Sequence, residues 1–481
     1  MPPVETSVSE PATAAHKTLG LWDAVSIIVG IVIGAGVYET APLVLANVSN
    51  PWTGLGVWAL GGALSLCGAL CYAELATTFP QSGGDYVYLK RAYGPLLGFL
   101  FGWTQLCVVI TASIGAMAFV FADYAVRLFG DGSAGAARVQ PPELAVAAVV
   151  GLSLLNIVST VAGKNVQNVL TAAKIIGMTA IVCAGFGWGS AAAWTETAPA
   201  ATSNLGLAMI LVLYTYGGWN DAAFVAAEVR DPHKNIPRAL VLGVGCITAA
   251  YLLVNAAYIG GLGFAAARGS HAIAADTLAL AWGPLGAKVM CLLVMLSALG
   301  ACNGLIFTGS RVYARLGSEH PLFARLGRWH PRLQTPAWSL TIQGLVSTIM
   351  IVLVSTGPGQ RLVNHALTAA RLPPASWGGH GGFATLVTCS APLFWAFFVL
   401  TGSSLFVLRF RAANVPRPFR VPLFPLLPLA FCTVSGWMLY SSLRYLADVQ
   451  LFGAFLLLAV LPIALGLPLY FGGKCGSRND E

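Results

Sequence analysis

The sequence of 481 residues is 57% hydrophobic and only 9% charged, and its mean hydropathy is +0.75. Soluble domains carry about 25% charged residues, so this chain lacks the polar surface that a water-soluble enzyme needs. The formal net charge of +8 comes from basic residues gathered in loops on one side of the predicted membrane, and we do not interpret it as nucleic-acid binding. These properties favour a multi-pass membrane protein.

Apolar runs of about 20 residues, long enough to cross a bilayer, recur along the whole chain. They predict an all-α membrane protein with twelve transmembrane helices. In chain order the predicted spans are residues 22–46, 54–78, 95–123, 142–161, 165–190, 204–228, 237–263, 286–310, 336–356, 388–409, 423–446 and 450–472. The first span lacks a small-residue cleavage pattern, so we expect it to remain in the protein and not to be removed as a signal peptide.

Lysine and arginine positions predict the orientation of these helices. With the N-terminus in the cytoplasm, most basic residues fall in cytoplasmic segments, above all in 311–332 and 409–420. Because basic loops favour the cytoplasmic side, we expect both termini inside the cell and the protein in the plasma membrane, the inner membrane of a bacterial cell. Residues 1–19 are predicted to be a disordered cytoplasmic tail, and 473–481 a second cytoplasmic tail.

Cysteines and histidines give no sign of a disulfide framework or a metal site. All ten cysteines except Cys475 lie in or beside apolar spans, where a free thiol behaves as a small hydrophobe. None lies in an external loop, so we expect no disulfide framework. The seven histidines are scattered and share no metal-ligand spacing with a cysteine or an acid, so we predict no metal and no cofactor.

Glycines interrupt two of the predicted spans. The first span has Gly30, Gly34 and Gly36 within seven residues, and the sixth has two adjacent glycines in the run 214–220. One such glycine alone commonly marks tight helix packing. These two interruptions, however, fall in the first helix of one five-helix set and in the first helix of the next. Broken helices at corresponding positions indicate a transporter binding site near the membrane midplane.

Four groups of motifs occur in order along residues 20–345. They are Val29-Gly30-x-x-Ile33-Gly34-Ala35-Gly36-Val37-Tyr38; Cys71-Tyr72-Ala73-Glu74-Leu75 with Phe79-Pro80-x-Ser82-Gly83-Gly84-Asp85-Tyr86; Tyr216-Gly217-Gly218-Trp219-Asn220 with Glu228-Val229-Arg230-Asp231-Pro232; and Asn303-Gly304-x-x-Phe307-x-x-Ser310-Arg311. On these motifs the sequence resembles the amino acid–polyamine–organocation superfamily, close to its L-type amino acid transporter branch. The resemblance implies two inverted five-helix repeats, at 20–190 and 204–409, and two further helices within 422–472.

The resemblance also implies a substrate site on the two interrupted helices. Its residues would be Val32, Ile33, Gly34, Ala35, Gly36, Tyr214, Thr215, Tyr216, Gly217, Trp219 and Asn220. Backbone amides of 34–36 would bind the substrate carboxylate, because a half-helix N-terminus carries free N–H groups and partial positive charge. Freed carbonyls of 32, 33, 214, 215 and 217 would bind the amino group. The side chains of 214, 216, 219 and 220 would set selectivity.

Three charged residues lie in or beside these segments. Lys174 falls inside the fifth span, where a lysine costs about 2.5–3.5 kcal/mol on insertion scales unless it snorkels to the interface. The resemblance implies a coupling role, in which its ammonium takes the place of a sodium ion near Gly30 and Ile31. Glu39 and Asp221 either lie in an aqueous vestibule or form an anionic wall that favours cationic substrates.

These features predict a sodium-independent secondary transporter, either an exchanger or proton-coupled, that moves amino acids by alternating access. A carrier preferring cationic amino acids or polyamines is the alternative. A non-transporting amino acid sensor, a channel and a membrane enzyme are weaker alternatives, since an enzyme needs clustered His, Asp, Glu or Cys near the interface. Heteromeric relatives attach a second subunit through a cysteine in the loop that here spans 124–141 and has none. We therefore expect the amino acid and the bilayer as partners, and no disulfide-linked ancillary subunit.

Overall fold

Helices form almost all of the regular structure in the computed structural model, which describes residues 18–34, 36–129, 140–197, 204–270, 272–377 and 382–476. They are α1 (Leu21–Val32), α2 (Gly36–Ala46), α3 (Pro51–Thr78), α4 (Asp85–Tyr93), α5 (Pro95–Phe129), α6 (Pro141–Val158), α7 (Thr160–Gly187), α8 (Leu205–Thr215), α9 (Pro232–Leu262), α10 (Phe264–Gly269), α11 (Ile273–Trp282), α12 (Leu285–Glu319), α13 (Ala337–Ser355), α14 (Gly357–Ala369), α15 (Gly382–Arg411), α16 (Leu426–Asp448) and α17 (Phe452–Gly472). A long 3₁₀ helix, Trp219–Glu228, lies between α8 and α9.

Ten of the described helices are long and apolar enough to cross a membrane, namely α3, α5, α6, α7, α9, α12, α13, α15, α16 and α17. Each overlaps one predicted span. Capping residues fix several of their starts: the Asn50 side chain accepts a hydrogen bond from the Thr53 amide (2.8 Å) before α3. Ser159 alone separates α6 from α7, and its hydroxyl accepts bonds from the first amides of α7. Such N-caps satisfy amides that have no partner inside the helix.

The predicted first and sixth spans are each divided into two helical segments. In the first, α1 ends at Val32 and α2 begins at Gly36. In the sixth, α8 ends at Thr215, and the 3₁₀ helix begins after Gly218, whose φ of +106° suits glycine because it has no Cβ. The interruptions therefore lie where the glycine runs predicted them.

Several helices lie in regions that hydropathy alone leaves as loops. They are α4, α10, α11 and α14, the last occupying part of the long loop at 357–387. Moreover, α12 continues to Glu319, past the predicted end at 310, because its added charges are paired: Arg311 binds Glu228 and Arg315 binds Glu319. In a hydropathy pattern, charged residues indicate the end of a membrane helix. Here the helix continues past them because the charges are paired.

The described chain begins within the predicted N-terminal tail. Leu19 is fully buried, its amide donates to the Glu228 carbonyl (3.0 Å), and its carbonyl accepts from the Arg230 amide (2.9 Å). Residues 1–17 and 477–481 lie outside the described part of the chain. The boundaries predicted for the two five-helix repeats remain predictions.

The interrupted helices pack side by side at the centre of the bundle. Helix α1 packs against α7, α9 and α12 and also contacts the 3₁₀ helix, while α2 packs against α8. Large apolar side chains such as Ile176 and Leu154 are exposed on the outside, where the predicted bilayer lies. This packing brings the two interruptions together.

Candidate substrate site

A cavity of about 160 Å³ lies where the two interruptions meet. One water needs about 10–15 Å³ by the same measure, so the space suits a small organic molecule better than a single ion. The interrupted helices line one side, and α5 and α15 line the other. The wall is largely apolar, and Phe394, Phe397 and Phe398 contribute much of it. A largely apolar cavity with a few polar groups is typical of a small-molecule site.

Most of the predicted substrate residues line this cavity. They are Val32, Gly34, Gly36, Tyr214, Thr215, Gly217 and Asn220, together with Asp221. Ile33 is fully buried behind the cavity wall. Ala35 lies outside the described residues, as does the side chain of Glu39.

The carbonyls freed at the interruptions already accept hydrogen bonds from side chains. The Tyr251 hydroxyl donates to the carbonyls of Val32 (3.0 Å) and Thr215 (3.3 Å), one from each interrupted helix. The Ser297 hydroxyl donates to the carbonyl of Ile33 (2.9 Å). A carbonyl has two lone pairs, so the Thr215 carbonyl can accept a second donor. The Val32 carbonyl already accepts a second hydrogen bond from the Gly34 amide (2.8 Å), and the Ile33 carbonyl one from Lys174 (2.7 Å). We did not single out Tyr251 or Ser297 in the sequence, since an isolated hydroxyl in an apolar helix carries no recognisable pattern.

Lys174 of α7 reaches the same interruption from behind the cavity. Its ammonium donates to the carbonyls of Gly30 and Ile33, the latter at 2.7 Å, and the side chain is 1% exposed. Gly30 was among its predicted partners, whereas Ile33 takes the place predicted for Ile31. In the described part of the chain no carboxylate pairs with this lysine. The amino group of a lysine is therefore held at the break in the helix by carbonyl oxygens.

Comparison with known proteins agrees with this arrangement. A family model described as "Amino acid permease" matches residues 19–460. The chain belongs to the amino acid permease family. The permease is 30% identical to the b(0,+)-type amino acid transporter 1 of Homo sapiens over 90% of this chain and 84% of that protein. It is 30% identical to the serine/threonine exchanger SteT of Bacillus subtilis (strain 168) over 95% of this chain and 97% of SteT.

A third relative is the large neutral amino acids transporter small subunit 2 of Mus musculus, 30% identical over 98% of this chain and 84% of that protein. The family and these relatives are transporters. The permease is accordingly a multi-pass membrane transporter and not an enzyme.

Two residues predicted to set selectivity do not line the cavity of the permease. The Tyr216 hydroxyl donates to the Trp58 carbonyl (3.1 Å), and its ring packs on Trp58 and Tyr251. Trp219 packs against the rings of Tyr72 and Phe431 and contacts Phe398 of the cavity wall from behind. Both side chains are almost completely buried among these rings, and adjacency in the sequence does not reveal that packing.

The permease cavity instead takes much of its side-chain surface from α5 and α15. Ser113 and Gln105 come from α5, and Phe383, Ser390 and Phe394 come from α15. The sequence offered no signal for them, because they lie within apolar spans without glycine interruption or charge. They belong to the site only through the packing of distant helices.

Two carboxylates reach the cavity of the permease. Asp221 is 5% exposed and lies on its wall, and the charge preference predicted from it stays a prediction. Asp85, at the start of α4, was not singled out as a site residue; it is 2% exposed and also lines the cavity. Its Oδ1 accepts hydrogen bonds from the hydroxyls of Tyr72 and Thr401. Burial raises the pKa of Asp85, which lies between the membrane spans, to about 6.

Other buried acids of the permease are neutralised by arginine. Glu228 forms two hydrogen bonds with Arg311 (2.7 and 3.1 Å), and both side chains are buried. Glu74 likewise binds Arg409 and the Val421 amide. Bidentate arginine–carboxylate pairs of this kind hold helices in a defined orientation. They distinguish these acids from Asp85 and Asp221.

Proposed function

We propose that the permease is a sodium-independent secondary transporter that moves amino acids across the plasma membrane by alternating access, as an exchanger or with protons. The observation that carries this proposal is the Lys174 ammonium bound to the carbonyls of Gly30 and Ile33. Carbonyls freed at a break in a membrane helix bind the coupling cation in transporters. With a fixed ammonium there, the carrier has no need of sodium.

The proposed substrate pose uses the backbone of both interruptions. The amino acid carboxylate binds amides at 34–36, where α2 begins and its N-terminal dipole favours an anion. The ammonium binds the carbonyls freed at the two interruptions, above all that of Thr215, which accepts the Tyr251 hydroxyl at 3.3 Å and has a second lone pair. The side chain extends between α5 and α15. The bacterial relative is a serine/threonine exchanger and the human relative an amino acid transporter, which supports an amino acid as the substrate.

We further propose twelve transmembrane elements with both termini in the cytoplasm. Ten long apolar helices and the two interrupted pairs account for that number. Under this proposal the interrupted pairs open the two inverted repeats, with α16 and α17 as the two additional helices. Basic residues concentrated near the ends of α12 and α15 support the orientation.

A second candidate is a carrier that prefers cationic amino acids or polyamines. Asp221 on the cavity wall is the observation that favours it, because a buried carboxylate raises the local concentration of cations.

Counterflow in proteoliposomes tests the proposal. Vesicles containing purified permease and an unlabelled amino acid are placed in labelled amino acid at equal pH on both sides, with either sodium or choline as the external cation. We expect the label to accumulate at the same rate in both salts. A several-fold requirement for sodium would refute the role proposed for Lys174. Substrate binding without counterflow would identify a sensor and refute transport.

A further inference from the structure

The glycine turn before α4 places Asp85 beside the 3₁₀ helix. The Gly83 amide donates to the Phe224 carbonyl (3.0 Å), and Gly84 has a φ of +49°. A Cβ on Gly84 would lie only 2.7 Å from the Phe224 ring. The close approach permitted by glycine therefore brings Asp85 to the cavity wall near Asp221.

Only one of the two carboxyl oxygens of Asp85 accepts hydrogen bonds. Its Oδ1 accepts the hydroxyl hydrogens of both Tyr72 and Thr401, while its Oδ2 is buried and has no partner. A buried acceptor without a donor costs about 1–3 kcal/mol, and more for a charged group. In a protonated carboxyl, one oxygen accepts and the other carries hydrogen. The pattern at Asp85 is that of a protonated acid.

Asp221 and its neighbour add further acceptors without donors. No described residue donates a hydrogen bond to the Asp221 carboxylate, and the Asn220 Oδ1, also on the cavity wall, is buried without a partner. Asp221 lies near enough to Asp85 for their negative charges to repel. Three acceptors that share one cavity thus lack hydrogen donors.

The groups that face the two acids supply no positive charge. Asp85 faces Tyr72 of α3, Tyr88 of its own helix, Thr401 of α15 and Asp221. Asp221 faces Tyr313 of α12 in addition to Asp85. No lysine or arginine in the described ranges pairs with either carboxylate. Two uncompensated carboxylates in one buried site do not both ionise.

We propose that Asp85 and Asp221 form a proton-binding site that holds one shared proton, and that this proton moves together with the amino acid. The proposal rests on the transport function proposed above and selects proton coupling within it. Because the Oδ2 of Asp85 has almost no accessible surface, a proton fits there and a larger cation does not. The proton enters from water, and the cavity that receives the substrate is its route.

The pKa of Asp85 suits a group that takes up a proton during transport. Since burial raises its pKa to about 6, Asp85 takes up a proton as the pH falls through that value. Because the charge of Asp85 repels that of Asp221 when both are ionised, the pair favours uptake of a proton. The pair therefore takes up its proton under mildly acidic conditions.

Infrared difference spectroscopy of the purified permease tests the site without relying on transport. Spectra recorded across pH 5 to 8 should show the carbonyl stretch of a protonated carboxylic acid that appears on acidification. The band should disappear in Asp85→Asn, which keeps the shape of the side chain but cannot ionise. In Asp221→Asn it should remain, with its midpoint moved to lower pH because the repelling charge is absent. Asp123→Asn, an exposed acid of α5 away from the cavity, is the matched control and should keep the band.

Proteoliposomes with a pH dye inside test the coupling. Addition of amino acid outside should acidify the interior of wild-type vesicles, and each pH unit of inward gradient should drive about tenfold accumulation per proton. Any transport that remains in Asp85→Asn or Asp221→Asn should be independent of the pH gradient.

Two outcomes would overturn the proton site while leaving transport intact. One is wild-type counterflow without acidification or an acid band. The other is a loss of arginine affinity relative to leucine in the variants with proton uptake unchanged, which would assign the acids to a cationic side chain. Failure of counterflow at equal pH, by contrast, refutes the proposed transport itself, and the infrared band then decides the proton site alone.

Discussion

Among single residues, Lys174 has the best-defined contacts at the interruption. Its two hydrogen bonds join α7 to the end of α1, and hydrogen bonds from a charged group contribute about 1.5–3 kcal/mol each. The Ser297 hydroxyl shares the Ile33 carbonyl with it. The interrupted end of α1 is therefore oriented by side chains from two other helices.

Replacing Lys174 by methionine should abolish transport while leaving expression near normal. Methionine fills the same volume but leaves the carbonyls of Gly30 and Ile33 without this donor, so the interruption loses its orientation. We expect counterflow to fall more than tenfold, corresponding to at least ~1.4 kcal/mol. Lys164→Met is the control, because Lys164 lies on the same helix and makes only a partly exposed contact with Asp23 (3.4 Å). Wild-type turnover in Lys174→Met would assign the lysine a structural role only.

The second interruption depends on one glycine more than on its neighbour. Gly218 has a φ of +106°, and a Cβ there would lie 2.8 Å from the Ile31 Cγ2 of α1. Gly217 has no such conformation, although a Cβ on it would lie 3.2 Å from the Tyr214 carbonyl oxygen. Strain of this kind costs about 1–3 kcal/mol. The break between α8 and the 3₁₀ helix is therefore set mainly at Gly218.

A matched pair of alanine variants tests this difference between Gly218 and Gly217. Gly218→Ala should lose substrate affinity by tenfold or more, ~1.4 kcal/mol, because it pushes α1 away from the 3₁₀ helix. Gly217→Ala should show a smaller loss. Binding of labelled amino acid to purified protein gives both affinities. Equal affinities in the two variants would show that the observed backbone conformation does not control binding.

For the whole molecule, the question is whether the permease works alone. The mouse relative is named a small subunit, but the sequence between α5 and α6 has no cysteine through which a second chain could be linked. Exposed apolar side chains on the outer helices, such as Ile176 and Val169, suit contact with lipid. We propose a carrier that needs no disulfide-linked partner.

Purified permease reconstituted without any other polypeptide should therefore bind substrate and catalyse counterflow. A reducing agent should not change the rate, because the proposed assembly contains no intermolecular disulfide. The comparison is between vesicles prepared with and without reductant, with protein content checked by gel. Activity that appears only after co-expression with a second membrane protein would contradict this prediction.

Composition and glycine placement determine much of this fold before any tertiary contact is considered. The ten long helices follow from apolar runs, and both interruptions follow from glycines at 34–36 and 217–218. Helix α4 and the extension of α12 escaped prediction because charged residues normally end an apolar run. Here the charges are paired, as in Arg311–Glu228.

The sequence by itself determined the class of protein, the two interruptions and the presence of a lysine beside one of them, because hydropathy, glycine and a lone charge are local properties. Only the tertiary structure decided which side chains share the cavity. Asp85 and Thr401 are 316 positions apart yet hydrogen-bonded, and Tyr251 joins both interrupted helices. Tyr216 and Trp219 are adjacent to residues of the wall but do not line the cavity. Such convergence depends on how helices rotate and pack, and no periodicity along one helix records the orientation of another.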